Sequence, residues 1–540
     1  MDLLLAGGEL VDGTGAPRRR CDVGVLDGRI VIAPSVDAPA DLVVDVSGFI
    51  VCPGIVDIHT HSDLTLLANP LGDSKIRQGV TTEVVGNCGL GLAPVPPDGV
   101  AGPAAIRAAV GYLDLDPDVP VGWHDFDGYL ATVEAAGPAM NVASFLPHLP
   151  LHASTVGLDD RPAGTAQIDA MVGVLERACD DGAVGLSTGL VYAPLCFVRE
   201  DELMALGATV ARRGRLFAWH VLDYGDALIP SVAQAIRVAR ATGCRTQISH
   251  LTAVGRRNWA SLRTALELID DAIADGVDIG VDTYPYLAGN APLSQLLPSW
   301  AQEGGPAQFA PMLRAPSHRA RVRAAWTDHS WDWRDIVVNA LSGEFADTAP
   351  AGLIGATIAD LAAVRQVEAD DVALDLLAEY GASVLMVAYG RSDENLRAVL
   401  EHPATVVASD GQAIDPAGPT GAAGRPHPRS YGCFPRYLAH YADDLEDGIR
   451  RCTSAAAARV GLTDRGVVAD GRPADLFVLD PTTLTDTATF EHPQQFPAGI
   501  EMVLVNGAVV LDGRTDTGAR PGQVLRPGAI PTDPSGRTSS

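Results

Sequence analysis

The chain has 540 residues, 47% hydrophobic and 20% charged, an ordinary globular composition with enough length to bury a large core. Its formal net charge of −28 repels polyanions and anionic lipid, so nucleic acid and membrane surfaces are set aside and a small-molecule partner is expected. No segment approaches the roughly 18 uninterrupted apolar residues of a membrane span. The start, Met1-Asp-Leu-Leu-Leu-Ala-Gly-Gly8, lacks the basic residues and long apolar run of a signal peptide. The eight cysteines are scattered without a Cys-X-X-Cys pair, which together with that start predicts a cytoplasmic location.

Residues 1–52 alternate short apolar runs, such as Leu3-Leu-Leu5 and Val23-Gly-Val-Leu26, with Gly/Asp turns. That spacing predicts a small β-sheet unit. Residues 456–525 repeat it in Leu476-Phe-Val-Leu479 and Met502-Val-Leu-Val505, so the two ends are expected to share one composite β-sandwich. Between them, residues 53–455 alternate strand-like and helix-like stretches. The strand candidates are 54–59, 80–87, 141–147, 183–187, 215–219, 245–249, 278–283 and 404–409, separated by helical stretches such as 168–181, 201–213 and 261–275. Eight such repeats predict an α/β fold, a (β/α)8 TIM-like barrel with its chemistry at the C-terminal strand ends. The long gap between the seventh and eighth strands predicts an inserted lid over about 287–350, carrying Trp300, Trp326, Trp331 and Trp333. The tail 526–540 is expected to be disordered.

Ile55-Val-Asp-Ile-His-Thr-His-Ser-Asp63 places His59 and His61 two apart at the end of the first strand. Alternate residues of a strand share a face, so both imidazoles can turn to one metal ion. The other strand ends add Cys88, His148, His220, His250 and, on the eighth strand, Asp410. Five of the chain's 13 histidines thus fall where a barrel does its chemistry, and a metal site is expected there.

Longer motifs surround these residues: Lys75-Ile-Arg-Gln-Gly-Val-Thr-Thr-Glu-Val-Val-Gly-Asn-Cys-Gly89, Gly185-Leu-Ser-Thr-Gly-Leu-Val-Tyr192, Asp282-Thr-Tyr-Pro-Tyr286, Ser409-Asp-Gly411 and His427-Pro-Arg429. With them the chain resembles the amidohydrolase superfamily and, within it, the N-acyl-D-amino-acid deacylases. The resemblance implies one tightly bound zinc on Cys88, His220 and His250, and a weaker second position at His59 and His61 with Cys88 bridging. It implies hydrolysis of a linear amide, with the zinc acidifying water and Asp410 carrying the proton to the leaving amine. His148 and Tyr192 are expected to bond the substrate carbonyl, and Arg429, assisted by Tyr284 and Asn290, to clamp the substrate carboxylate. The only lysine of the chain, Lys75, precedes the second strand, so the carboxylated lysine that bridges the metals in many related hydrolases has no counterpart at strand four.

The chain departs from the family pattern at Leu222 and Tyr224, where Arg and Glu are usual, at Thr252, where Lys is usual, and at His152, where Arg is usual. Asn290 replaces a serine, and Arg391 stands where an apolar residue is common. These changes bear on the substrate. The alternatives are an amidohydrolase acting on a cyclic amide, a ureide or an N-acylated specialised metabolite, and a non-catalytic metal-binding protein.

Overall fold

The computed structural model describes residues 1–32, 39–346 and 348–528. At its centre run eight parallel strand segments: Ile55–Asp57, Val80–Val85, Asn141–Ser144, Gly185–Gly189, Leu216–His220, Arg245–Ile248, Ile279–Thr283 and Thr405–Val407. Each pairs in parallel with its sequence neighbour, and nearly every residue in them is buried on both faces, as strands roofed by helices require. The third strand breaks at Phe145: Asn141–Ser144 pairs with the second strand, while Leu146–Pro147 pairs with the fourth. The eighth strand meets the first through Asp410 N donating to His59 O (2.8 Å) and His61 N donating to Gly411 O (2.8 Å). Those two bonds close the ring, and they form between the very residues proposed for the chemistry.

Amphipathic helices form the outer layer, among them Thr165–Asp180, Glu200–Arg212, Leu228–Thr242 and Ser261–Ala274. Local chemistry sets the helix ends. Phe126–Ala136 begins where Asp125 Oδ1 accepts from Gly128 N (2.9 Å) and stops at Gly137, whose φ of 62° few other residues adopt.

Both chain ends contribute strands to a shared sheet. A four-stranded sheet from the N-terminal segment packs on a seven-stranded sheet in which Ile50–Pro53 lies beside Leu476–Leu479. Leu5, Val25, Val51, Leu476 and Leu504 fill the space between them. The inserted segment builds an antiparallel sheet of Gly289–Pro292, Val384–Ala388 and Ile336–Leu341 in that order, so it folds together with residues as far as Ala388 rather than stopping near 350. Leu293, Phe309, Trp326, Val338 and Leu377 give it a core of its own. The expected disordered tail lies outside the described residues from 529 onward. The start of that stretch, 526–528, is described and docked, Arg215 Nη1 donating to Pro527 O (2.7 Å) and Gly528 O (2.9 Å).

Candidate metal centre and active site

His59, His61, Cys88, His220, His250 and Asp410 are all buried at one end of the barrel. Cys88 Sγ lies 3.3 Å from His59 Nε2 and 3.4 Å from His250 Nε2. His59, His61 and Asp410 form a second group sharing His59, with His61 Nε2 3.0 Å and His59 Nε2 3.5 Å from Asp410 Oδ1. Three of these residues hold left-handed backbone that side chains rarely adopt: Cys88 at φ 55°, His250 at 35° and Asp410 at 51°. Such strain costs on the order of 1–3 kcal/mol per residue and persists where the surroundings enforce it. Here the enforcement is close packing: a Cβ on Gly189, at the end of strand four, would fall 2.0 Å from Cys88 O.

The donor set fits a metal. Burial pushes His220 down to about 3 and His250 well below its ordinary value, so both imidazoles are neutral and offer lone pairs. Both ring nitrogens of His220, and Nδ1 of His61, are buried without a hydrogen-bond partner among the described residues. Unpaired buried polar atoms are costly, and a cation between these rings satisfies them. Burial also raises the Cys88 thiol to about 11, and an adjacent divalent cation reverses that preference because a coordinating thiol is deprotonated. His59 is oriented from behind: Asp282 Oδ1 takes its Nδ1 at 3.0 Å, leaving Nε2 toward Cys88. Asp282 also accepts from His250 N (2.8 Å) and Gln247 Nε2 (3.0 Å), so one carboxylate braces two candidate ligands.

Cys88 groups with His59 and His250, where the resemblance pairs Cys88 with His220 and His250. His220 stands one ring farther out, its centroid 4.5 Å from that of His250, flanked by Tyr192 and Tyr224 at 5.0 Å each. Cys88, held in its left-handed bend, faces the gap between strands one and six, which is why its sulfur reaches both of their histidines.

A cavity of about 220 Å³ opens over these residues, lined by His61, Cys88, His220, His250 and Asp410 at its floor. The insertion supplies the facing wall through Asn290, Ile336, Met386 and Ala388. Tyr192, Tyr284 and Asn290 line it; Asn290 Nδ2 is held by Asn339 Oδ1 (3.0 Å) and Met386 O (2.8 Å).

Two expectations need correction. His148 does not reach the cavity. It opens the helix His148–Thr155, and Thr188 Oγ1 (3.0 Å) and Glu202 Oε1 (2.8 Å) occupy its two nitrogens. Arg429 is fully buried behind the cavity wall rather than lining it, because Nη1 donates to Asp410 Oδ2 (2.7 Å) and Nη2 to Tyr112 OH (2.9 Å). Burial alone would raise the Asp410 pKa, but Arg429, His59 and the hydrogen bond from His61 hold it well below the usual carboxylate range. Asp282, Tyr112 and Glu202 hold these side chains without being among the expected site residues: Asp282 opens the Asp282-Thr-Tyr-Pro-Tyr286 motif at a strand end, whereas Tyr112 lies in a long connection with no periodic signal.

The departures from the family pattern scatter. Leu222 points to solvent, Thr252 and Arg391 line the cavity, and Tyr224 donates its OH to Ser249 O (2.9 Å) while packing on His220 and His250. His152 Nδ1 joins His148 on Glu202 Oε1 at 2.8 Å. Burial would raise Glu202, but the bonds from His148 and His152 outweigh it and bring its pKa down to about 2. An unfolded glutamate titrates near ~4.3, so this contribution is complete above that pH and is lost as pH falls toward about 2. Burial lowers His148, so below pH ~6.5 the unfolded chain binds a proton that the folded one refuses, and stability falls in the same direction. The urea midpoint is therefore expected to drop on acidification below pH ~6.5. Glu202→Gln is expected to flatten the part of that drop below pH ~4.3, as midpoints measured against pH in both proteins will show.

A closed parallel barrel with imidazoles and a thiolate-forming cysteine at its C-terminal strand ends, and a carboxylate beside them, defines a metal-dependent hydrolase centre. Comparison with known proteins gives the family. The amidohydrolase family model matches residues 42–511, and the chain belongs to that family. It is 35% identical to the D-aminoacylase of Alcaligenes xylosoxydans xylosoxydans over 530 residues, covering 97% of each chain. It is 34% identical to the N-acyl-D-glutamate deacylase of the same organism, covering 97% of this chain and 96% of the relative. The crystal structure of the Bordetella bronchiseptica N-acyl-D-glutamate deacylase, complexed with zinc and a phosphonate mimic of the tetrahedral intermediate, superposes with a TM-score of 0.81 at 33% identity. That match covers 97% of this chain and 99% of the other.

Proposed function

We propose that this protein hydrolyses the amide bond of an N-acyl-D-amino acid to a carboxylate and a free D-amino acid, using zinc. The observation that carries the reading is the grouping of Cys88 and His250, which line the cavity, with His59 3.3 Å from Cys88 Sγ and Asp410 3.5 Å from His59. The D configuration and the acyl-amino-acid class follow the full-length relatives named above.

The residues divide the work. Cys88, His250, His220, His59 and His61 hold the metal, one ion tightly and a second more weakly. When bound, zinc supplies a Lewis acid for the amide carbonyl and lowers the pKa of water from 15.7 towards about 7. Asp410, kept ionised by Arg429, takes a proton from the attacking water. As the new C–O bond forms and the C–N bond breaks, it returns that proton to the leaving nitrogen, which departs as the amine. Tyr192, with its ring over His220, is placed to donate to the carbonyl oxygen.

The substrate is a small molecule, and the location is cytoplasmic, a reading supported by eight cysteines that are all unpaired. No described helix is long and apolar enough to cross a membrane.

The test is metal analysis with turnover of N-acetyl-D-amino acids, their L enantiomers and cyclic imides. Zinc is expected in the purified protein, with turnover of the D series, loss on chelation and recovery on adding zinc. Turnover of cyclic imides alone would replace this reading with the cyclic-amide alternative.

A further inference from the structure

Resting on the acyl-amino-acid reading, we infer that Tyr112 is a further ligand of the substrate's α-carboxylate. Its hydroxyl, with Arg429 behind it and Tyr284 beside it, donates a hydrogen bond to one carboxylate oxygen.

Tyr112 lies in the connection after the second barrel strand and lines the cavity with His61 and Tyr284. Its hydroxyl accepts from Arg429 Nη2 (2.9 Å). A phenol has one proton to give as well as lone pairs to offer, and accepting from a cation makes its O–H a stronger donor. That proton has no acceptor among the described residues. Tyr284 repeats the arrangement: its OH accepts from Arg391 Nη2 (2.7 Å), and its own proton is likewise uncommitted among them. The Cζ atoms of Arg429 and Arg391 lie 4.6 and 4.9 Å from the Tyr284 ring centroid, so positive charge is concentrated around these two phenols. A carboxylate presents two oxygens, and two phenol donors polarised in this way match it.

The backbone and the ring of Tyr112 are both held. Gly111–Leu113 forms a short 3-10 turn, and Gln412 Nε2 donates to Tyr112 O (3.2 Å). Asp114, just after the turn, takes Arg107 Nε and Nη2 (2.8 Å each), and its carbonyl accepts from Gly343 N of the insertion (2.7 Å). The ring meets His61 edge-on, with centroids 5.1 Å apart at 85°. The hydroxyl is therefore fixed relative to the candidate metal ligands, as a group that sets where the scissile amide lies must be.

The rest of the cavity decides which part of the substrate faces the two phenols. Val254, Leu296, Trp331, Ile336, Met386 and Ala388 make much of the remaining surface apolar. It suits an acyl group or an aliphatic side chain, and a carboxylate set against it would be desolvated without a partner. Asp223 also lines the cavity, and its like charge disfavours a carboxylate at that side. The carboxylate is left to the side where the guanidinium groups stand.

The experiment measures wild type, Tyr112→Phe and the protein with 3-fluorotyrosine at position 112 on N-acetyl-D-leucine, with N-acetyl-D-leucinamide as competitor. Zinc content and circular dichroism are checked for each. Tyr112→Phe keeps the ring against His61 and removes only the hydroxyl. It should raise KM for N-acetyl-D-leucine roughly 10- to 100-fold, the size of a hydrogen bond to a charged group, while kcat changes far less. Ki for the neutral carboxamide should rise much less than that KM, because its oxygen is a weaker acceptor. Fluorine withdraws electrons, making the hydroxyl a stronger donor and a weaker acceptor, so KM of the fluorinated protein should hold or fall. A rise there would mean that Tyr112 acts only by holding Arg429, and would overturn the inference. An unchanged KM in Tyr112→Phe overturns it too, as does an equal loss for carboxylate and carboxamide. A loss confined to kcat would put the hydroxyl at the amide carbonyl and overturn it as well. Absence of wild-type turnover of N-acetyl-D-leucine would instead reject the acyl-amino-acid reading, and this inference with it.

Discussion

Asp410→Asn is expected to lower kcat by about two to four orders of magnitude, the usual worth of a positioned acid–base group, while at least one equivalent of zinc stays bound. Asparagine is the informative replacement because it tolerates the left-handed backbone at φ 51° and can still accept from Arg429 Nη1. What it loses is the ability to take a proton. Zinc should persist because Cys88, His59 and His250 form their group without Asp410. Asp410 does belong to the second group, with His59 and His61, so the weaker position is expected to lose occupancy. Single-turnover rates and metal content on the same preparation check both statements. Wild-type kcat in the variant would refute the proton shuttle.

The second large effect is on stability. Lys75→Met is expected to destabilise the protein by about 3–5 kcal/mol, the cost of leaving buried charge unpaired. Lys75 is fully buried, and its ammonium lies 2.8 Å from Asp57, 2.9 Å from Glu83 and 2.7 Å from Ser409 Oγ. Burial opposes its charge, yet the two carboxylates outweigh that and raise its pKa. These partners sit on strands one and two and just before Asp410, so a single cation ties together the strand ends that carry His59, Cys88 and Asp410. Adding Asp57→Asn and Glu83→Gln to Lys75→Met removes the orphaned charges and should recover much of the loss. Urea midpoints of the single and triple variants measure both effects; a single variant as stable as wild type would show that the cluster contributes little. The same contacts explain why this lysine is no metal bridge: it is engaged beneath the centre.

Much of the architecture was legible from local pattern. The eight barrel strands overlap the expected stretches, the fourth and fifth ending two residues and one residue later, because burial on both faces demands continuous apolar residues in each strand. The metal cluster was legible for a related reason. His59, Cys88, His250 and Asp410 lie at or just past strand ends, and a barrel brings all such ends to one rim. His148 shows where that reasoning stops. Its strand breaks at Phe145 and a helix begins at His148, so the side chain no longer follows strand alternation and turns to Glu202 instead.

What the sequence by itself determined is the fold and the family, and it named the candidate metal ligands, because these follow from periodicity and from motifs read within one segment at a time. Only the tertiary structure decided which charges remain available to a substrate. Arg429 and Arg391 look alike as residues in a string; one is buried and paired with Asp410, and the other lines the cavity with no ion pair among the described residues. That difference depends on which side chains from distant segments meet. It is a property of packing and of local dielectric, and no spacing along the chain encodes it in readable form.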